Sequence, residues 1–475
     1  MKQLSAWFAC ALCACGNVTT THSPDGGGSA DTTPPTLVSS TPAADATGVA
    51  LMAPMQLVFD ESLDPASVTS DAFALGCWEC WPVFTTPTYD DATHTVTLVP
   101  LIPLGPDVPY QLMIGSGLHD VAGNAFAGAT IVFHTHKNAA TRFVTYNVNT
   151  GAPIEWNAWT LDASGNFTAE LGYSGPGPDA TWFTADDVVA ARQTFATSGA
   201  MTVRTTWAAG ADGKFGTADD TVSGTFETDS DANGDPIAYW TRDGSGTTTQ
   251  LVTQTFDSRW ITESDTHSAA GADGQWNTAD DSISRVTKFQ YDARHRMVRQ
   301  LDFDPGPDHL ANTADDVMLD YSQQAFDAQD RDGTHAFFTE FGADGMKGNA
   351  DDGIGPDGVW FTADDIPNGY NTNTYDTTAK TSSGVSYSGP GPDHVWMTAD
   401  DVDASGYGIT YDAHWGRTGA TYLSASNTTT GYATYHNDAD ALALDSTTYM
   451  EPGPDGLWHT SDDRPLYHYD YDDTH

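Results

Sequence analysis

A short aspartate-rich segment recurs through this chain, and its residue types and spacing could bind an ion or close a turn. Its first aspartate falls at Asp179, Asp212, Asp273, Asp308, Asp344, Asp357, Asp393 and Asp455. Glycine stands two residues before each, and proline or alanine one before. Two adjacent aspartates follow seven and eight residues on. They are Asp186 and Asp187, Asp219 and Asp220, Asp280 and Asp281, Asp315 and Asp316, Asp351 and Asp352, Asp364 and Asp365, Asp400 and Asp401, and Asp462 and Asp463. An aromatic stands three after the first aspartate in six copies: Trp182, Phe215, Trp276, Trp360, Trp396 and Trp458. Threonine stands five after in seven copies, with Asn349 the exception. If the loop folds back, each like-charge carboxylate pair costs about 1 kcal/mol even at water's dielectric. A cation reverses that sign. Carboxylates, a hydroxyl and turn carbonyls are the hard oxygen ligands that Ca²⁺ prefers, and Mg²⁺ is less suited. Each intact loop is therefore expected to hold one Ca²⁺ through its three aspartates, with the threonine as a further oxygen and the aromatic as a plug. The same residues fit a metal-free account. Thr-Ala-Asp-Asp makes a capping box, and the leading aspartate makes an Asx turn.

Paired carboxylates ordinarily raise the question of a glycosidase. Here the pair recurs at eight equivalent places, whereas an active site is singular, so repetition argues for structure or multivalent binding. No H-E-x-x-H, G-x-S-x-G, P-loop or dinucleotide fingerprint is present, and the chain is expected to be non-enzymatic. The net charge of −47 excludes nucleic acid as a partner, because phosphate would be repelled. Only eight of the 65 acidic residues are glutamate, so the acid favours turns over helices. With 45 Gly, 25 Pro and abundant Thr, Tyr and Trp, the composition implies an all-β fold rich in turns.

The chain opens "MKQLSAWFACALCACGN", one lysine and a short apolar run. That is an export signal, too short to span a membrane permanently. Leu12-Cys13-Ala14-Cys15 resembles the bacterial lipobox. The resemblance implies that Cys15 is the lipidated first residue of the mature chain, and that residues 1–15 are the signal. The alternative is an ordinary secretory signal containing cysteines. No aspartate follows Cys15, a pattern that in Gram-negative lipoproteins implies the outer membrane. Membrane contact is thus expected through a lipid anchor only. Residues 16–33 form a flexible linker. In "CWEC", Cys77 and Cys80 are expected to form a disulfide, as suits an exported chain; a redox or metal pair is the other reading.

Residues 34–136 hold strand-like runs: "TLVSSTP", "MQLVFD", "HTVTLVP", "YQLMIG" and "TIVFHTH". Together with "PPTLVSSTPAADATGV" and "VFDESLDPASV", the segment resembles the bacterial Ig-like domain of surface-layer type. The resemblance implies a β-sandwich that serves as spacer or binding module and carries no catalytic set. His134 and His136 share a strand face but have no third ligand in view, so they are expected to be structural or exposed.

From residue 137 to 475 most loop spacings are 33 to 36 residues. Two spacings, 61 and 62, are expected to hide degenerate units near Asp243 and Asn427. One spacing is only 13, so two loops stand in tandem between Gly342 and Ile366, where the array is expected to bend or to bind something different. A second marker, an aromatic followed by aspartate, recurs between loops at Asp257, Asp292, Asp327, Asp376 and Asp412. Each unit is expected to be strand, tight turn, strand, Asp loop, and the region an array of about ten β-hairpins. "YDARHR" and "YDAHWGR" resemble YD (RHS-type) repeats, which implies a coiled β-sheet or shell. A β-propeller is the alternative. The function expected is a cell-surface lipoprotein whose calcium-stabilised β scaffold serves adhesion or binds a protein or carbohydrate ligand. A shell or toxin-related protein lacking its cargo domain, and a carbohydrate-active surface protein, are the alternatives.

Overall fold

Among the described residues, period-two alternation of apolar and polar residues between glycine-rich turns yields strands almost throughout, with one short 3-10 turn at Ser70–Ala72. A computed structural model describes residues 31–77, 83, 85–100, 104–106, 108–136, 139–163, 165–232, 234–257, 260–292, 296–327, 331–339, 353–355, 359–362, 365–413, 416–438 and 442–472. Eight strands make the first unit: β1 (Leu37–Thr41), β2 (Ala46–Val49), β3 (Met55–Phe59), β4 (Phe73–Gly76), β5 (Thr85–Asp90), β6 (Thr95–Pro100), β7 (Pro109–Ile114) and β8 (Ala129–Thr135). They form two four-stranded sheets, ordered β1-β3-β6-β5 and β2-β8-β7-β4. Strand β3 shows why the sheets stack: Met55, Leu57 and Phe59 are buried and Gln56 between them is exposed. Val96, Leu98, Leu112 and Phe133 complete a dry core between the sheets.

The remaining strands pair in sequence order. They are β9 (Ala139–Tyr146), β10 (Pro153–Leu161), β11 (Phe167–Gly175), β12 (Val188–Ser198), β13 (Met201–Ala208), β14 (Thr221–Ser230), β15 (Pro236–Asp243), β16 (Thr248–Asp257), β17 (Trp260–Ala269) and β18 (Ser282–Tyr291). There follow β19 (Met297–Asp304), β20 (Val317–Phe326), β21 (Asp332–Thr339), β22 (Gly369–Asp376), β23 (Thr381–Gly389), β24 (Val402–Tyr411), β25 (Arg417–Ser424), β26 (Thr429–Asn437), β27 (Ala443–Glu451) and β28 (Arg464–Asp472). Every neighbour is antiparallel, and β28 returns to pair with β9, so the sheet closes into a barrel. Closure rules out the propeller, which would divide the strands into separate blades. It also replaces an open coil with a ring of ten hairpins.

Up-and-down order sorts the connections between two rims. One rim carries short turns, and six of them share one device. Asp162, Asp231, Asp292, Asp327, Asp412 and Asp438 each donate a backbone N–H to the carbonyl four residues on. Each carboxylate then accepts the N–H of that same later residue. This explains the aromatic-aspartate marker at Asp292, Asp327 and Asp412. Arg296 and Arg331 add ion pairs to their turns' aspartates. The other rim carries the Asp loops. The two long spacings prove to hold hairpins with tight turns on this rim, Asp243 to Thr247 and Ser424 to Thr428. The tandem loops lie in one connection between β21 and β22, whose ladder has four partner pairs, and most of that connection is outside the described residues.

The Ig-like unit meets the barrel at the short-turn rim, where β9 begins. Leu442, at a turn there, is 3% exposed and belongs to the Ig-like core. A Cβ on Gly76 would lie 2.7 Å from the Trp260 ring at the start of β17. Leu442→Ala should therefore cost about 2–5 kcal/mol. Thermal melting of the intact chain checks this, and an unchanged melting temperature would show the Ig-like core closed without the barrel.

Candidate functional site: the aspartate rim

The loop that follows β23 shows how each segment folds. The chain passes Gly391 with φ +65°, and a Cβ there would sit 2.0 Å from the carbonyl oxygen of Asp400. Only glycine permits that approach, which accounts for Gly177, Gly210, Gly271, Gly306 and Gly453 at the same place in their loops. Asp393 then makes an Asx turn, accepting the Val395 N–H at 2.8 Å. Met397 takes a left-handed conformation (φ 64°), and Thr398 closes the loop. Its hydroxyl lies 2.8 Å from Asp400 and 3.2 Å from Asp401.

The two adjacent aspartates have separate tasks. The first ties the loop to itself. Asp400 accepts the Asp393 N–H at 3.0 Å, and Asp186, Asp219, Asp280, Asp315 and Asp462 do the same to Asp179, Asp212, Asp273, Asp308 and Asp455. The threonine hydroxyl, above all, holds each of these six carboxyls below the ordinary range. They stay ionised, and the rim stays negative.

The second aspartate ties the loop to the wall, and it is buried in Asp187, Asp281, Asp401 and Asp463. Asp401 accepts the Met397 N–H at 2.7 Å and the Tyr370 hydroxyl at 2.6 Å. Tyr432 donates to Asp463, Tyr321 to Asp365 and the Trp156 indole to Asp187. Arg192 reaches Asp220 at 3.3 Å, and His267 lies 2.8 Å from Asp281. Asp316 accepts the Asn312 N–H at 2.8 Å. Each donor aromatic stacks on the next strand: Trp156 on Tyr173 at 4.1 Å, Tyr321 on Phe338 at 4.3 Å, Tyr370 on Tyr387 and Tyr432 on Tyr449 at 4.5 Å. Trp360, Trp396 and Trp458 meet the donor tyrosines edge-on. Burial, and then the carboxylate partner, push the three tyrosine hydroxyls well above the phenol range.

The leading motif alone does not reveal these donors. The available signal is an offset: Trp156, Tyr370 and Tyr432 stand 31 residues before their aspartates. Tyr321 stands 44 before Asp365, the same offset lengthened by the tandem copy.

The described loops thus meet these carboxylates with N–H and O–H donors, the hydrogen bonds expected of a capped turn. Among the described residues, the one group of three carboxylates with oxygens within 4.8 Å of one another is Asp31, Glu61 and Asp120 in the Ig-like unit. Asp344, Asp351, Asp352, Asp357 and Asp364 lie outside the described residues, as do Cys15 and Cys80. Cys77 is disulfide-bonded.

Two acid pairs sit in the wall below the rim, on β17 to β20. Asp302 stands directly opposite Asp320 in the ladder. Burial works to raise Asp302, but the bonds from Arg285 and Thr287 together outweigh it and hold its carboxyl down. Burial, then the Asp302 charge, lift Asp320 to about 6. On β17 burial and neighbouring Glu263 lift Asp265 to about 6 as well.

Two outcomes follow from this geometry. Tyr370→Phe leaves the buried Asp401 short of a donor and should cost about 1–3 kcal/mol. Calorimetry reads that loss, and a neutral result would mean water serves Asp401 equally well. Asp320 has a folded pKa above its unfolded value, so its contribution is favourable below about pH 4 and lost as pH rises through about 6. Asp320→Asn should therefore stabilise the chain at pH 7.5, on the order of 1 kcal/mol after discounting for partial exposure, and show no gain near pH 4. Melting temperatures at the two pH values check the sign.

No curated protein matches the chain by sequence. Several solved structures overlap it at low scores. The N-terminal part of the bacterial S-layer protein SbsC has 16% identity and a TM-score of 0.19, covering 40% of this chain and 43% of that one. A porin-like protein from Bacteroides uniformis has 11% identity and a TM-score of 0.26, covering 70% and 97%. Native alpha-2-macroglobulin from Escherichia coli, in a structure spanning domains MG0-NIE-MG1, has 11% identity and a TM-score of 0.18, covering 48% and 95%. The chain thus spans under half of the SbsC structure, and none of these overlaps carries an argument about function. The family finding is local: residues 31–135 match the model of the bacterial Ig-like domain.

Proposed function

We propose that this chain is an exported, non-enzymatic protein of the bacterial cell surface, held by a lipid on Cys15, whose barrel is a scaffold for adhesion or ligand binding. The polarity of the barrel carries this reading. The Ig-like unit joins the short-turn rim, and the Asp loops occupy the opposite one. A lipid at residue 15, a linker and an Ig-like spacer then direct the acidic rim away from the membrane. The Ig-like match supports an extracellular setting. The repetition of the carboxylates at equivalent places supports display over catalysis.

Calcium belongs to this reading as a counter-ion shared along the rim. The described loops close on their own donors, and their ionised aspartates on one rim create a field that concentrates divalent cations. Extracellular sites of this weak kind fill at about millimolar calcium.

Cys15→Ser should move the protein from the membrane fraction to the soluble exported fraction, and protease added to intact cells should cleave the wild type. Retention in the membrane fraction, or protection from protease, would overturn surface display. Chelator should lower the melting temperature of the purified chain by only a few degrees, and sodium chloride should restore it. Calcium retained in whole-number stoichiometry through gel filtration would instead establish a caged ion in each loop.

A further inference from the structure

One face of the wall across β23 to β26 carries a trough of about 480 Å³. Two straight cross-strand rows form its floor. The row nearer the Asp rim runs Ser383, Gly408, Thr421, Tyr432. The next runs Thr381, Thr410, Gly419, Thr434. Each row has one glycine, on adjacent strands; the floor drops at Gly408, whereas Thr410 Oγ1 lies 3.0 Å from where a Cβ on Gly419 would sit. A Cβ built on Gly408 meets nothing within 4 Å, so the space above it is open. His459, from the loop before β28, overhangs one end with its ring 4.1 Å from that of Tyr432. The same loop position holds Phe183, Gly216, Asn277, Asn312, Phe361 and Met397 elsewhere, so this loop alone among the described ones offers an imidazole here.

The lining chemistry narrows the ligand. None of the trough's lining residues is an acid, a lysine or an arginine, in a chain of net charge −47. The surrounding field disfavours an anion, and the trough holds no carboxylate to fix a cation. What it offers is hydroxyl groups, each able to donate and to accept, spaced about 5 Å across the strands; Ser383 is bonded to Thr374, Thr410 to Thr418 and Tyr432 to Asp463, which fixes their orientation. A ligand that also presents alternating donors and acceptors along a line fits this, and neutral sugar rings do so. A peptide strand would need a sheet edge, and the closed barrel has none.

We infer that the trough over Gly408 and Gly419, bounded by Tyr432 and His459, binds a segment of neutral polysaccharide. This rests on the reading of the barrel as a binding scaffold and names its ligand class. The drop at Gly408 seats the sugar chain, the serine and threonine hydroxyls meet its hydroxyls, and His459 closes one end.

The test uses the intact chain with cellohexaose, maltohexaose and laminarihexaose as neutral probes and an oligogalacturonate as the anionic one, read by calorimetry. At least one neutral hexaose should bind, and the oligogalacturonate should not. Gly408→Val fills the trough with a strand-favouring side chain that meets no neighbour, so it should melt like the wild type while weakening the hexaose about tenfold or more. His459→Ala should weaken it less. No binding by any neutral hexaose, or Gly408→Val binding as well as wild type, would overturn the inference. Preferred binding of the oligogalacturonate would also overturn it. Cell fractionation with Cys15→Ser is read separately, so loss of the surface reading and loss of this site are distinguishable.

Discussion

Closure of one antiparallel sheet on itself is the constraint on which this molecule depends. The β9–β28 ladder joins the two ends of the array, so no strand keeps an unpaired edge. A closed ring meets every strand's backbone hydrogen bonds within the wall. The wall then needs little apolar core. The apolar residues that are fully buried lie mostly in the Ig-like sandwich, with Leu251, Val286 and a few others in the barrel. This is how a chain with so much aspartate folds at all. Much of its charge sits at the rims and on wall faces, and buried aspartates such as Asp187, Asp281, Asp302, Asp401 and Asp463 are met by hydrogen-bond donors.

The Asp loop is the device that makes the rim. Glycine lets the chain double back, and the leading aspartate starts the turn. The first of the paired aspartates locks the turn, and the second is buried as a bolt into the wall. Aromatic donors such as Tyr370 and Tyr432 do two things at once. They stack across the ladder and they satisfy a buried carboxylate. The described loops therefore gather N–H and O–H donors around their carboxylates, and pH acts on them in the usual direction, weakening them as it falls. Asp320 and Asp265 in the wall act in the opposite direction, because each is partly buried beside a second acid. Loops and wall thus answer to pH with opposite signs.

Much of the architecture was legible in the chain. The eightfold segment, the two missing units and the aromatic-aspartate turns all announced ten hairpins, because turn chemistry is local and repeats with the turn. The Ig-like unit was legible from its alternating strands. Within the site, the glycine, threonine and aspartate pattern specified a closed loop and favoured a bound ion, with capping as the alternative. Both accounts use the same oxygens.

What only the tertiary structure decided was everything that depends on meeting across the sheet. Register places Asp302 against Asp320 and sets Gly408 and Gly419 on one diagonal, and neither follows from spacing along the chain. The reach from Tyr370 to Asp401 spans a hairpin and a loop. Ring closure, too, is a global property, since twist and tilt accumulate over all the strands before the last can find the first. The sequence by itself determined the repeating local unit, because turns and alternation are encoded in a few neighbouring residues. The structure decided that the units form a ring, and that the ring has one acidic end.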